Sequence, residues 1–132
     1  MIVIDTHALV WWINDDKTKL TAKASQVIEE ELERDGVIVS SISAWEIALL
    51  VSKGKLDLSM DVSHWLKTAE QIAGLRFAPI DNSVAVKSVT LPGDSHPDPS
   101  DQIIVALARE LGVPLVTADS RITRYPHVST IW

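Results

Sequence analysis

The sequence from residue 96 to residue 119, HPDPSDQIIVALARELGVPLVTAD, decides the fold. It opens with a proline-rich loop, and Ser100 is predicted to cap the amino terminus of a helix whose surface is mostly apolar. Gly112 suits the position just after the last helical residue, and the apolar residues 115–117 predict a short buried strand. A helix that is apolar on most of its surface has to be buried, so this unit indicates a layered α/β protein.

Two acidic side chains take defined places in this unit. Asp101 lies in the first turn of the predicted helix, and Asp119 follows the predicted strand. In an open parallel sheet, the carboxyl ends of the strands form the edge where ligands bind. Two carboxylates at that edge can share one cation, and the prediction of a metal site depends on whether further acids reach the same edge.

Composition is that of an ordinary globular protein. The 132 residues fit one domain, predicted over residues 1–132, with 46% hydrophobic and 23% charged residues. The lack of cysteine excludes a disulfide framework and a thiolate metal site, so a metal would be bound by oxygen or imidazole. No apolar run approaches the roughly 20 residues that cross a bilayer, and no secretory signal opens the chain. We therefore expect a cytoplasmic protein without membrane association.

The net charge of −6 argues against a protein that coats nucleic acid, because such proteins carry a basic surface. That argument weakens if several acids share one metal site, since bound divalent cations reverse the local field. Charge alone therefore excludes neither class.

Strands and helices alternate along the rest of the chain. Apolar β-branched runs at residues 2–4 and 37–39 predict strands that are covered on both faces. Residues 77–80 predict a short strand near a sheet edge, because Pro79 cannot donate to the ladder, and residues 128–131 predict a last short strand. The predicted fold is a three-layer α/β/α sandwich with a central, mostly parallel sheet.

Asp5 and Thr6 follow the first predicted strand and precede a helix. Capping that helix is a common role for both residue types, and binding a ligand at the carboxyl ends of the strands is the alternative for Asp5. Thr6 has a second option, a hydrogen bond to an acid or to a metal-bound water, although capping is favoured.

Glu46 lies in a predicted helix over residues 44–51 and has apolar neighbours in almost every direction. A carboxylate in such surroundings needs a partner charge, a metal or a raised pKa. The alternative is a capping box, in which Glu46 reaches back to Ser43, the predicted N-cap. The helix follows the second predicted strand, so Glu46 also reaches the edge where Asp5 lies.

These acids predict one kind of chemistry. Clustered carboxylates repel one another and are tolerable together only with cations, and all-oxygen ligation suits Mg²⁺ or Mn²⁺. Such a metal can bind a phosphodiester oxygen and activate a water molecule. No Ser-His-Asp pattern, P-loop or GxGxxG motif is visible, so hydrolysis by a metal-activated water is predicted rather than attack by a side chain.

Four segments, VIDTHAL (3–9), SISAWEI (41–47), HPDPSDQIIVA (96–106) and LVTAD (115–119), resemble the PIN-domain family, in particular VapC-type toxin ribonucleases. The resemblance extends over nearly the whole chain, in the same order and spacing. It implies a PIN-like parallel sheet between helices, a Mg²⁺- or Mn²⁺-binding catalytic quartet and cleavage of RNA. It also implies a homodimer and a cognate antitoxin of a type II toxin-antitoxin module. Matched motif by motif, the quartet is Asp5, Glu46, Asp101 and Asp119.

Several residues near the quartet have open roles. Asp98 is either an auxiliary acid or a residue that orders the proline-rich loop, and His96 is expected to order that loop by a hydrogen bond. Gln102 stands where many relatives have a basic residue. Arg121 and Arg124 are candidates for contact with the RNA backbone, the alternative being simple solvation.

The tryptophans at positions 11, 12, 45 and 65 have helical spacing, which favours a place in the core or a subunit interface over base stacking. Two other functions are alternatives to a nuclease. A non-catalytic PIN-like module that binds RNA or protein would lack one or more of the acids. A phosphotransfer domain would have a second acid close to Asp5, where His7 stands instead.

Overall fold

A central sheet organises the chain in the computed structural model, which describes residues 1–94 and 97–132. The predicted role of His96 lies outside these described residues. Within the described ranges, the elements in chain order are β1 (Ile2–Ile4), α1 (Thr6–Ile13), α2 (Ala22–Leu32), β2 (Val37–Ser40), α3 (Ile42–Ser52), α4 (Val62–Glu70), β3 (Leu75–Ala78), α5 (Asn82–Val89), α6 (Pro99–Leu111), β4 (Leu115–Val116), α7 (Ser120–Thr123) and β5 (Thr130–Ile131).

The strand order is β3-β2-β1-β4-β5, and each neighbouring pair is parallel. The chain first adds strands on one side of β1 and later on the other. Val3 of β1 pairs with Ile38 of β2 on one side and with Leu115 of β4 on the other side. The strand order therefore reverses between β1 and β4, which creates a crevice beyond the carboxyl ends of these two strands.

Helices cover both faces of the sheet. Ile4 and Val39 point into a core cluster that includes residues of α1, α2 and α4, whereas Val3, Ile38 and Leu115 point into a second cluster built with α5 and α6. Each of these strand residues is at most 1% exposed. Strands buried on both faces explain the continuous apolar runs of the sequence, and the predicted three-layer α/β/α fold is confirmed.

Two predicted helix starts are wrong. Asp98, not Ser100, is the N-cap of α6, and Pro99 takes the first helical position, where its missing N–H costs nothing. Helix α3 begins at Ile42, so Ser43 lies inside the helix rather than at its N-cap. In both cases the N-cap lies two residues before the predicted one, at Asp98 and at Ser41.

Glycines lead into several strands at the opposite end of the sheet, which we call the amino edge. Gly36 and Gly74 directly precede β2 and β3 and have φ angles of 104° and 86°. A Cβ atom on Gly74 would lie 2.1 Å from the backbone oxygen of Leu32. Only glycine fits there without displacing the end of α2.

Trp65 is 4% exposed and belongs to the core, as predicted. Trp45 is 57% exposed on α3 and lies outside the core, so of the two predicted places only a subunit interface remains for it. In residues 1–94 and 97–132, no helix has both the length and the apolar character that crossing a membrane requires.

Candidate active site

A cleft of about 540 Å³ opens beyond the carboxyl ends of the strands, which we call the carboxyl edge. Acids from separate parts of the chain face this cleft. The described residues that line it are Asp5, Thr6, His7, Trp11, Glu46, Asp98, Asp101, Ala118, Asp119, Ser120 and Arg121. The structure therefore brings the predicted quartet together, along with Asp98, Thr6 and Arg121.

Arg124 is not among the described residues that line the cleft. Its Nε donates a hydrogen bond to the backbone oxygen of Ser120 at 3.2 Å. Of the two arginines considered for RNA contact, only Arg121 belongs to the cleft wall.

Asp5 is held at the crevice between β1 and β4 by contacts on both carboxylate oxygens. Its Oδ1 accepts the N–H of Ala8 at 2.9 Å, so Asp5 caps α1, and its Oδ2 accepts the hydroxyl of Thr117. The Thr117 hydroxyl also accepts the N–H of Asp119 at 3.0 Å. Thr117 is fully buried, and it thus fixes Asp5 relative to the backbone that carries Asp119.

Glu46 is held by a second pair of hydroxyls. Thr6 Oγ1 donates to Glu46 Oε1 at 2.6 Å and lies 2.8 Å from Ser43 Oγ. The single Thr6 proton goes to the carboxylate, so the hydrogen bond from Ser43 runs toward Thr6. The alternative of a capping box with Ser43 is excluded, because Ser43 lies inside α3, and the predicted cap by Thr6 is wrong, because Asp5 caps α1. Asp5 already caps α1, which leaves the Thr6 hydroxyl available to Glu46.

Asp98 and Asp119 each place one carboxylate oxygen at a helix start. Asp98 Oδ1 accepts the N–H of Ser100 at 2.9 Å, and Asp119 Oδ1 accepts the N–H of Arg121 at 2.8 Å. Asp98 thus caps α6 and also lines the cleft, and its role as an auxiliary acid stays a prediction. Asp98 and Asp119 lie at the amino ends of α6 and α7, where the exposed N–H groups favour negative charge.

Burial and mutual repulsion perturb the acids. Burial raises the pKa of Asp101 to about 7, with further contributions from the charges of Asp98, Glu46, Asp119 and Asp5. Burial also raises the pKa of Asp5 to about 6, and the hydrogen bond from Thr117 opposes that rise. Desolvation therefore outweighs the hydrogen bonds and the helix dipoles, and the cleft favours either protons or a cation.

The donor chemistry of the cleft fits Mg²⁺ or Mn²⁺. The acidic side chains offer only oxygen ligands, and a cation would relieve the repulsion that raises the pKa of Asp101. No three His, Asp or Glu side chains of residues 1–94 and 97–132 are already placed to hold one ion together. Mg²⁺ commonly binds one or two carboxylates and keeps several waters, so a complete protein cage is not required.

Of the hydroxyls that hold the acids, only that of Thr6 was considered from the sequence; those of Thr117 and Ser43 were not. Thr117 and Ser43 are both fully buried, and each bonds across a long sequence distance. For Thr117 a signal was available, because a hydroxyl residue follows a buried apolar strand and lies two positions before an acid. For Ser43 the sequence gave no such signal, because its hydrogen-bond partner Thr6 is 37 residues away in the chain.

Comparison with known proteins places the chain in a family. A model of the PIN domain matches residues 2–128. The chain is 35% identical over 134 residues to "Ribonuclease VapC22" of Mycobacterium tuberculosis, an alignment that covers 99% of this chain and 98% of that protein.

Two solved structures have a similar fold. VapBC2 from Rickettsia felis, bound to a DNA fragment from its promoter, has a TM-score of 0.70 at 18% identity and covers 99% of this chain and 98% of that one. A toxin-antitoxin complex from Klebsiella pneumoniae has a TM-score of 0.65 at 19% identity and covers 98% and 97%. At these identities the likeness shows the fold alone. Together with the match over residues 2–128, it means that this chain belongs to the PIN-domain family, with a VapC ribonuclease among its relatives.

Proposed function

We propose that this chain is a Mg²⁺- or Mn²⁺-dependent endoribonuclease that hydrolyses RNA phosphodiester bonds, and that it is the toxin component of a type II toxin-antitoxin module. The observation that carries the proposal is the convergence of Asp5, Glu46, Asp101 and Asp119 on one cleft, with a pKa of about 7 at Asp101. The relative named as a ribonuclease and the neighbour named as a toxin-antitoxin complex support it.

The quartet would hold the metal. When bound, Mg²⁺ or Mn²⁺ supplies a Lewis acid beside the phosphate and lowers the pKa of water. Asp101, with its pKa of about 7, keeps a proton on much of the population at neutral pH and gives it up when a cation enters. Thr117 and Thr6 keep the carboxylates of Asp5 and Glu46 pointed at the same cleft.

Arg121 has the place and charge to contact the substrate backbone. It is exposed, it lines the cleft, and its charge is opposite to that of the acids there. A guanidinium at this position binds a phosphate flanking the cleaved bond by paired hydrogen bonds.

The proposed partners are RNA, a cognate antitoxin and a second copy of the chain, in a cytoplasmic protein whose residues 1–132 act as one nuclease domain. Apolar side chains on α3 and α5 support a protein interface: Trp45 is 57%, Val86 61% and Val89 78% exposed. Val86 and Val89 lie one turn apart on α5, and adjoining exposed apolar side chains are typical of a surface that a partner covers.

The decisive experiment is incubation of the purified protein with total RNA in Mg²⁺, Mn²⁺ or EDTA, followed by sequencing of the new RNA ends. We expect discrete ends with either ion and none with EDTA. Cleavage that persists in EDTA would remove the metal from the proposal. RNA binding without cleavage in either ion would favour the non-catalytic PIN-like module.

A melting experiment tests the metal site without activity. Mg²⁺ or Mn²⁺ should raise the melting temperature by mass action, equivalent to about 2.7 kcal/mol at one hundred times the dissociation constant. Asp119→Asn should lose most of that rise. Asp81→Asn is the matched control, because Asp81 caps α5 in the same way but does not line the cleft. Asparagine still caps helices, so both variants should fold. Equal metal responses in the two variants would exclude Asp119 as a ligand.

A further inference from the structure

Aromatic rings form part of the wall of the acidic cleft. His7 and Trp11 lie one turn apart on α1, and both line the cleft together with the quartet. Their ring centroids are 5.7 Å apart, with an angle of 50° between the planes. The His7 side chain is exposed, and Trp11 is partly exposed.

Trp11 is held in place from a second direction. Trp132 meets it edge to face, with centroids 5.8 Å apart and planes at 62°, and the Lys19 ammonium lies 5.7 Å from the centroid of the Trp11 ring. A ring fixed by several neighbours loses little conformational entropy when a ligand stacks on it. We call His7, Trp11 and Trp132, with Lys19, the aromatic platform.

The metal and the phosphate do not account for this platform. Carboxylates and an arginine serve a cation and a phosphodiester, but neither ligand gains from an indole ring beside it. A nucleobase does gain, because every base has a π-face that stacks on aromatic side chains. Lys19 adds a positive charge over the Trp11 ring, and a positive charge at this place attracts the phosphate backbone of an RNA strand.

We propose that the aromatic platform is a base-stacking subsite, which takes one unpaired nucleobase of an RNA strand whose backbone crosses the acidic cleft. This inference rests on the proposed ribonuclease function and adds a recognition element to it. A base within a duplex is already stacked and paired, so the subsite selects single-stranded segments. Stacking makes no hydrogen bonds to the edges of a base, so the subsite should accept different bases.

The test measures RNA binding apart from cleavage. All variants carry Asp101→Asn, and the probe is a fluorescently labelled single-stranded oligoribonucleotide followed by anisotropy. Trp11→Leu removes the π-face but keeps apolar bulk, and we expect its dissociation constant to rise about 5- to 100-fold. Trp11→Phe keeps a π-face and should lose much less.

Trp12→Leu is the matched control, because Trp12 is also a partly buried residue of α1 but does not line the cleft. We expect it to bind the probe like its parent. A second probe replaces the bases near the middle of the oligonucleotide by abasic sites, with length and charge unchanged. On this probe the parent should bind as weakly as Trp11→Leu.

The possible outcomes distinguish a failure of the base-stacking subsite from a failure of the proposed ribonuclease function. Equal affinity of Trp11→Leu and its parent for the full oligonucleotide overturns the subsite, even if the wild-type protein cleaves RNA, and leaves the aromatic platform to a protein partner. An equal loss for Trp11→Leu and Trp12→Leu, with lowered melting temperatures, also overturns it. If wild-type protein neither binds nor cleaves RNA in Mg²⁺ or Mn²⁺, the proposed function fails first.

Discussion

The two edges of the sheet are built on different principles. At the amino edge, backbone geometry decides the residues: Gly36 and Gly74 have positive φ angles, and the Gly74 turn has no space for a Cβ atom. At the carboxyl edge, side-chain charge decides. Asp5 and Asp101 are partly or fully desolvated there, and their pKa values lie well above the ordinary value.

The difference teaches which residues serve folding and which serve function. The glycines relieve strain, so they lower the free energy of the folded chain. The acids of the carboxyl edge raise that free energy at neutral pH, because buried like charges repel. Side chains that break the rules of stable packing at one place in a fold are expected at functional sites.

The largest contrast should come from Asp101→Asn. We expect RNA cleavage to fall to background while the melting temperature in EDTA stays the same or rises, because a repelling charge has been removed. Cleavage assays and thermal unfolding of the same preparations measure the two effects. Asp81→Asn, outside the cleft, should cleave at the wild-type rate. An Asp101→Asn protein that cleaves RNA normally would refute the role of Asp101 in the quartet.

Thr117→Val should sharpen the comparison, because it alters only how an acid is held. We expect the cleavage rate to fall about 10- to 100-fold, the usual cost of losing a group that orients a metal ligand. The Thr117 hydrogen bond lowers the pKa of Asp5, so the rising limb of the pH–rate profile should also move to higher pH. Thr90→Val, at an exposed position, is the control. A lower rate with an unmoved pH profile would reduce Thr117 to a packing role.

Gly74→Ala should destabilise the protein at the amino edge of the sheet. A positive φ costs an L-residue about 1–2 kcal/mol, and displacing the Leu32 carbonyl adds a further 1–3 kcal/mol by analogy with overpacked cores, so we expect a total loss of about 2–5 kcal/mol. Gly54→Ala is the matched control, because Gly54 has a φ of 69° and an added Cβ atom would have nothing within 4 Å. Urea unfolding of both variants isolates the steric part, and equal losses would show that the contact with Leu32 relaxes freely.

The last expected effect is a dependence of stability on pH. The pKa values of Asp5 and Asp101, about 6 and about 7 in the folded protein, exceed the 3.8 of an unperturbed aspartate. Between these values the folded chain holds protons that the unfolded chain has lost, so the free energy of unfolding falls as pH rises from about 4 to about 7. For Asp5 alone the loss is at most about 3 kcal/mol.

Urea unfolding in EDTA across this pH range measures the effect, and adding Mg²⁺ should flatten the curve at high pH. The double variant Asp5→Asn with Asp101→Asn should lose most of the slope. An unchanged slope in that variant would assign the pH dependence to groups outside the cleft.

Much of the fold follows from the sequence because the signals are local. Apolar runs predicted the strands, and the carboxyl ends of parallel strands share one edge, so the spacing of Asp5, Glu46, Asp101 and Asp119 was enough to predict that they meet. Their catalytic role stays a prediction.

The errors have one physical origin. Whether Asp98 or Ser100 caps α6, and whether Thr6 bonds its own helix or Glu46, depends on competition between acceptors of similar strength. Tertiary contacts decide such competitions, and no local pattern records them. Helical spacing likewise does not say which apolar side chains lie in the core: Trp65 is buried, whereas Trp45 is exposed.

The pairing of β1 with β4 has a consequence for synthesis on the ribosome. Asp5 emerges early, yet the hydroxyl that orients it belongs to Thr117, 112 residues later. Contacts this distant in sequence close late in folding. A nascent polypeptide therefore carries no assembled acidic cleft until nearly all of it has been translated, and a chain truncated before residue 117 should lack the orienting hydroxyl altogether.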